Sequence, residues 1–118
     1  MNKPLNHAKE PGQAKEIDDL LQALWKKNYP ILLERLQLIH NAQDKLAAGS
    51  LDDRTRKDGE EAAHKLAGIL GTFGLPQGSA LASKIEALLA LSISSCAEHA
   101  EELKSWLEEL KAVIASRA

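Results

Sequence analysis

The stretch Glu60-Glu-Ala-Ala-His-Lys-Leu-Ala-Gly-Ile-Leu-Gly-Thr-Phe-Gly74 holds the residue types best suited to chemistry in this chain, at an unusual spacing. On a helix of about 100° per residue with Leu66 at zero, Ala62, Ile69, Leu70 and Phe73 fall within about 60° and make the buried face. His64 comes out about 160° away, towards solvent, with Gly68 at about 160° in the opposite sense and Gly71 at about 140°. An interior helix glycine costs about 1 kcal/mol against alanine, and packing does not excuse one on an exposed face. What these glycines provide is bareness: for one to two turns beyond His64 no side chain stands in the way of another macromolecule. A neutral imidazole offers one unprotonated, nucleophilic nitrogen. An exposed nucleophile with a cleared approach predicts chemistry shared with a partner protein, outside any pocket. The plainer alternative is a surface histidine beside a fraying helix end. Gly68, well inside the helix, argues against it.

Other constellations are weaker. Glu61-Ala-Ala-His64 is a Glu-x-x-His step, but a di-iron bundle needs a second such step and two more glutamates, all directed inward. Cys96-Ala-Glu-His99 offers two ligands, too few to close a zinc site. His40 and His99 have no partners at ligand spacing and read as surface or boundary residues. No GxxxxGK[ST] or strand-linked glycine loop marks a nucleotide site. The expectation is a protein with no metal and no cofactor of its own.

Elements must hold this stretch in place. The chain has 118 residues, enough for one domain with a real core. Leu, Ala, Glu and Lys dominate, aromatics are 3%, and no run alternates with period two, so the reading is all-α. Residues 1–14 hold two prolines and a glycine and read as a flexible tail, leaving 15–118 as a helical bundle. Ile17, Leu20, Leu21, Leu24 and Trp25 form one apolar stripe. Pro30 ends that helix or opens the next, whose stripe (Ile31, Leu32, Leu36, Ile39, Leu46) stops at Gly49. A third helix starts near Ser50 or Asp52 and meets Gly74-Leu-Pro76; a fourth carries Leu81, Ile85, Leu88 and Leu89. Ser95 with Glu98 reads as a capping box for the last helix, which carries Leu103, Trp106, Leu107, Leu110, Val113 and Ile114. Short turns predict an antiparallel up-down four-helix bundle with an additional N-terminal helix.

Charge and composition exclude other classes. A formal charge of −2 gives no basic field for nucleic acid or an anionic membrane. No stretch approaches the length of a membrane span, and the first thirty residues carry no signal-peptide apolar run. The single Cys96 excludes an internal disulfide framework and fits a reducing compartment, so a cytoplasmic location is expected.

The run Ala63-His64-Lys65-Leu66-Ala67-Gly68, with Gly71-Thr72-Phe73-Gly74, resembles the signature of histidine-containing phosphotransfer (HPt) domains. The resemblance extends over residues 17 to 117: a signature helix, a Gly/Pro turn, an amphipathic helix with Leu81-Ala-Ser-Lys-Ile-Glu86, and a long final helix. It implies that His64 is the phospho-accepting residue. By the same resemblance, the phosphoryl group comes from a receiver-domain aspartate or a hybrid histidine kinase and passes to a response-regulator receiver domain. The Mg²⁺ for transfer sits on the receiver, and the carrier is a monomer without a nucleotide site, not an enzyme in its own right. One position departs from the pattern. Many members carry Lys three residues after the histidine, where this chain has Ala67, so a cation must come from elsewhere. Lys65 and Lys84 are the candidates, with Gly68 and Gly71 shaping the docking face. A histidine-kinase dimerisation helix fits less well, since Lys65 and Ile69 stand where that motif has an acid and a proline. A non-catalytic helical interaction bundle is the alternative from another class.

Overall fold

The computed structural model describes residues 11–117, and among them the chain forms helices joined by short turns, with no strand. The helices are α1 (Pro11–Ala47), α2 (Asp53–Thr72), α3 (Pro76–Leu89), α4 (Ile93–Glu98) and α5 (Ala100–Arg117). No described helix is long and apolar enough to cross a membrane. Residues 1–10 of the expected tail lie outside the described residues; Pro11 already opens α1.

The expected separate N-terminal helix is not found. Pro30 lies inside one helix of 37 residues. A mid-helix proline forfeits a hydrogen bond and crowds a carbonyl, at about 3 kcal/mol. Burial on both sides offsets this: Trp25 and Leu32 are 1% and 0% exposed, and Leu36, Ile39 and Ala42 continue the same buried stripe. Pro30 and Lys26, whose carbonyl the proline leaves unpaired, both face water. The first part of α1 differs from expectation in another way. Ile17, Leu20 and Leu24 are 57%, 60% and 40% exposed, so their stripe is uncovered. The cause is length: Trp25 meets Phe73 at the end of α2 (ring centroids 5.2 Å apart) and Arg117 at the end of α5, and the residues before it extend past both.

Helix α2 begins where the sequence places it. The Asp52 carboxylate caps it by accepting from the Thr55 N–H at 2.7 Å. It stops in a Schellman turn: the Leu75 N–H donates to the Leu70 carbonyl, and Gly74 takes the positive φ of 71° that only glycine adopts freely. Pro76 then opens α3 at its first position. The capping-box reading of Ser95 and Glu98 is corrected. Ser92 is the cap, its side chain accepting from the Ser95 N–H, and 93–98 form the short α4, with α5 starting afterwards at Ala100. The fifth helix is thus α4, and not an N-terminal one.

Helix α2 packs on α1 and α3, and α5 packs on α3 and α1. The core joins Leu66 and Leu70 of α2 to Leu32 and Ile39 of α1, Ile85 and Leu89 of α3, and Leu103, Leu110 and Ile114 of α5, all about fully buried. Two glycines allow the close approach. A Cβ on Gly59 would lie 3.1 Å from Ala42 Cβ and from Leu89 Cδ1, and one on Gly78 would lie 3.1 Å from Leu70 Cδ1 and Val113 Cγ1.

Candidate functional site

The buried face of α2 is Ala62, Ala63, Leu66 and Leu70, with Ile69 and Phe73 half-buried beside it. That anchoring turns His64 outward, with 72% of its side chain exposed. The imidazole does not float freely. Its Nδ1 lies 2.9 Å from Oε2 of Glu86, on α3. A carboxylate can only accept a hydrogen bond, so in the neutral ring Nδ1 carries the hydrogen and Nε2 keeps its lone pair. The contact therefore selects one tautomer and one nucleophilic nitrogen.

The surroundings of His64 are polar and open. A shallow depression of about 430 Å³ is lined by Lys57, Glu60, Glu61, His64 and Glu86. On the other side of the ring, a Cβ built on Gly68 meets nothing within 4 Å, so the next turn of α2 is bare. Gly71 differs: its Cβ would lie 3.6 Å from Ser79 Oγ, which places it towards α3. Ala67 is half-buried on the same side, and its carbonyl accepts from Ser79 Oγ at 2.8 Å, tying α3 to α2 beside the site.

The two lysines singled out from sequence are both engaged elsewhere. Lys65 Nζ lies 2.8 Å from Glu61 Oε1 and holds that carboxyl below its usual range, first through the hydrogen bond and then through charge. Lys84 is not brought to His64. Its ammonium sits over the Trp106 ring, 5.8 Å from the centroid. The physical reason is angular: Lys84 and Glu86 are two positions apart on α3, about 200° around the helix, so the face that reaches His64 belongs to Glu86. Sequence reasoning missed Glu86 and Lys57. Lys57 could have been found, because it lies about 20° from His64 on the wheel of α2. Glu86 comes from a neighbouring helix whose rotation no single-helix pattern fixes.

The remaining described histidines are placed differently. His40 Nε2 pairs with Asp44 at 3.3 Å, and its Nδ1 faces the Lys111 ammonium at 3.1 Å. His99 ends α4 and pairs with Glu102. No group of three or more metal-ligating side chains occurs among the described residues. Cys96 is buried, its thiol pushed up by desolvation and donating to the Leu88 carbonyl, which suits a packing role.

Comparison with curated proteins and with solved structures gives no match. A family model, that of the Hpt domain, matches residues 32–113, which run from the second half of α1 into α5 and include His64, Gly68 and Glu86. With most of its length matched, the chain belongs to the Hpt domain family, whose members carry phosphoryl groups on histidine in phosphorelays.

Proposed function

We propose that His64 is the phosphoryl-carrying residue of this Hpt domain. It takes the group from the aspartyl phosphate of a receiver domain, or from a hybrid histidine kinase, and yields it to a response-regulator receiver domain. The observation that carries this reading is the exposed imidazole whose Nδ1 is tied to Glu86 at 2.9 Å, with a bare helix turn at Gly68 beside it.

The step follows from that geometry. The Nε2 lone pair attacks phosphorus, and an N–P bond forms as the P–O bond to the aspartate breaks. The leaving electron pair stays on the aspartate carboxylate. No proton has to leave Nε2, because the tautomer held by Glu86 never placed one there. The Nδ1 hydrogen remains shared with the Glu86 carboxylate, which offsets the positive charge that phosphorylation brings to the ring. Returning the group reverses the same bonds. The divalent cation for such transfer is held by the receiver's carboxylates, and the chain itself is a carrier. Phosphoryl transfer consists largely of positioning and charge neutralisation, so an open face that docks a partner suffices.

The test is a transfer assay in which a receiver domain, loaded by a small phosphodonor, is mixed with the protein and with its His64→Gln variant at alkaline pH. Label on the wild type and none on the variant is the expected result. A folded wild-type protein that takes no label from a broad panel of receivers would support the non-catalytic interaction bundle instead.

A further inference from the structure

A phosphoryl group on His64 brings up to two negative charges to a surface already rimmed by Glu60, Glu61 and Glu86. Side chains on an α-helix lean towards its N-terminus, so the ring of His64 lies over the turn of Glu60 and Glu61, with Lys57 beyond it. The depression of about 430 Å³ lined by these residues is therefore on the N-terminal side of the histidine, away from Gly68. Each of its three carboxylates already has a cationic or hydrogen-bonding partner. Glu60 Oε1 lies 3.6 Å from Arg56, Glu61 is 2.8 Å from Lys65, and Glu86 is 2.9 Å from His64. Lys57 lines the same depression and has no ion-pair partner among the described residues. Lys84 is taken up by Trp106, and Ala67 offers no charge.

Building on the assignment of His64, we propose that this depression is the seat of the transferred phosphoryl group and that Lys57 is its cation. The Lys57 ammonium donates to phosphoryl oxygens of phospho-His64 and to those of the group in flight, and no bond to Lys57 forms or breaks. The seat also divides the face into two jobs. The phosphoryl group lies towards Lys57, and the bare turn at Gly68 is left for the backbone of the docking partner.

The experiment compares the full chain with its Lys57→Gln, Lys57→Arg and Lys65→Gln variants, reading the rate of phosphate uptake from a phosphorylated receiver and the lifetime of phospho-His64. Thermal melts run alongside. Lys57→Gln should slow uptake by on the order of tenfold and shorten the lifetime, the scale of one charge-assisted hydrogen bond at an open site. Lys57→Arg should keep most of the wild-type rate, Lys65→Gln should stay close to wild type, and all four proteins should melt together. Three results overturn the proposal: Lys57→Gln matching wild type, Lys65→Gln losing as much, or Lys57→Arg doing no better than Lys57→Gln. Wild-type protein that is never labelled on His64 would instead defeat the reading on which this one rests, and both would fall.

Discussion

At the scale of single residues, the proposed site separates stability from function, because the His64 side chain is 72% exposed. His64→Gln should abolish phosphate uptake and leave the unfolding free energy within about 0.5 kcal/mol of wild type, as for other exposed substitutions; chemical denaturation checks it. The glycines make a matched pair. Gly68 faces open space, so Gly68→Leu should stabilise α2 by up to about 1 kcal/mol while cutting transfer by on the order of a hundredfold, the scale of a misdocked reacting group. A Cβ on Gly59 would lie 3.1 Å from Ala42 Cβ, which cannot swing aside, so Gly59→Val should cost about 1–3 kcal/mol. The exposure of His64 and the bareness at Gly68 were legible from the helical wheel alone, since both depend only on the hydrophobic face of one helix. Glu86 was not legible, because meeting His64 requires the rotation of α3 about its own axis, which packing decides.

Among the elements, local signals were readable where the backbone itself demands a residue type, and misleading where tertiary packing competes. Gly49 and Gly74 both hold φ at 71°, and both marked helix ends correctly. Pro30 carries as strong a breaker signal, yet burial of Trp25 and Leu32 on either side keeps α1 continuous. The stripe of Ile17, Leu20 and Leu24 has helical spacing, but spacing does not say whether a partner helix reaches that far. Ile17→Gln with Leu20→Gln should therefore leave the melting temperature unchanged, unlike comparable changes at Leu32. The cap of α2 gives a pH dependence. The Thr55 backbone N–H, and then the Lys45 side chain, hold the Asp52 carboxyl at about 2 against an ordinary 3.8. A lowered value in the folded protein stabilises fully above about pH 4, and that stabilisation drains away as pH falls towards 2. Asp52→Ala should lower the melting temperature by a few degrees at pH 7, with the difference from wild type vanishing near pH 2.

For the whole molecule, one core holds α2 so that its opposite face is free. Leu66, two residues from His64 and so on the other side of the helix, is fully buried against α1, α3 and α5. Leu66→Ala should cost about 2–5 kcal/mol and, where the protein still folds, leave the phosphorylation site unchanged. The all-helical class was legible because no segment has a two-residue period. The division into helices was less so, since a helix of 37 residues with an internal proline and a six-residue helix between two turns both run against local cues. In the proposed reaction the phosphoryl group rides on Nε2 of His64. The most direct measurement is ¹⁵N and ³¹P NMR of the phosphorylated protein, with the modified residue mapped by mass spectrometry at alkaline pH. The expected result is one phosphate, on His64, bonded through Nε2 with Nδ1 still protonated. Phosphate on His40 or His99, or an N–P bond through Nδ1 of His64, would contradict it.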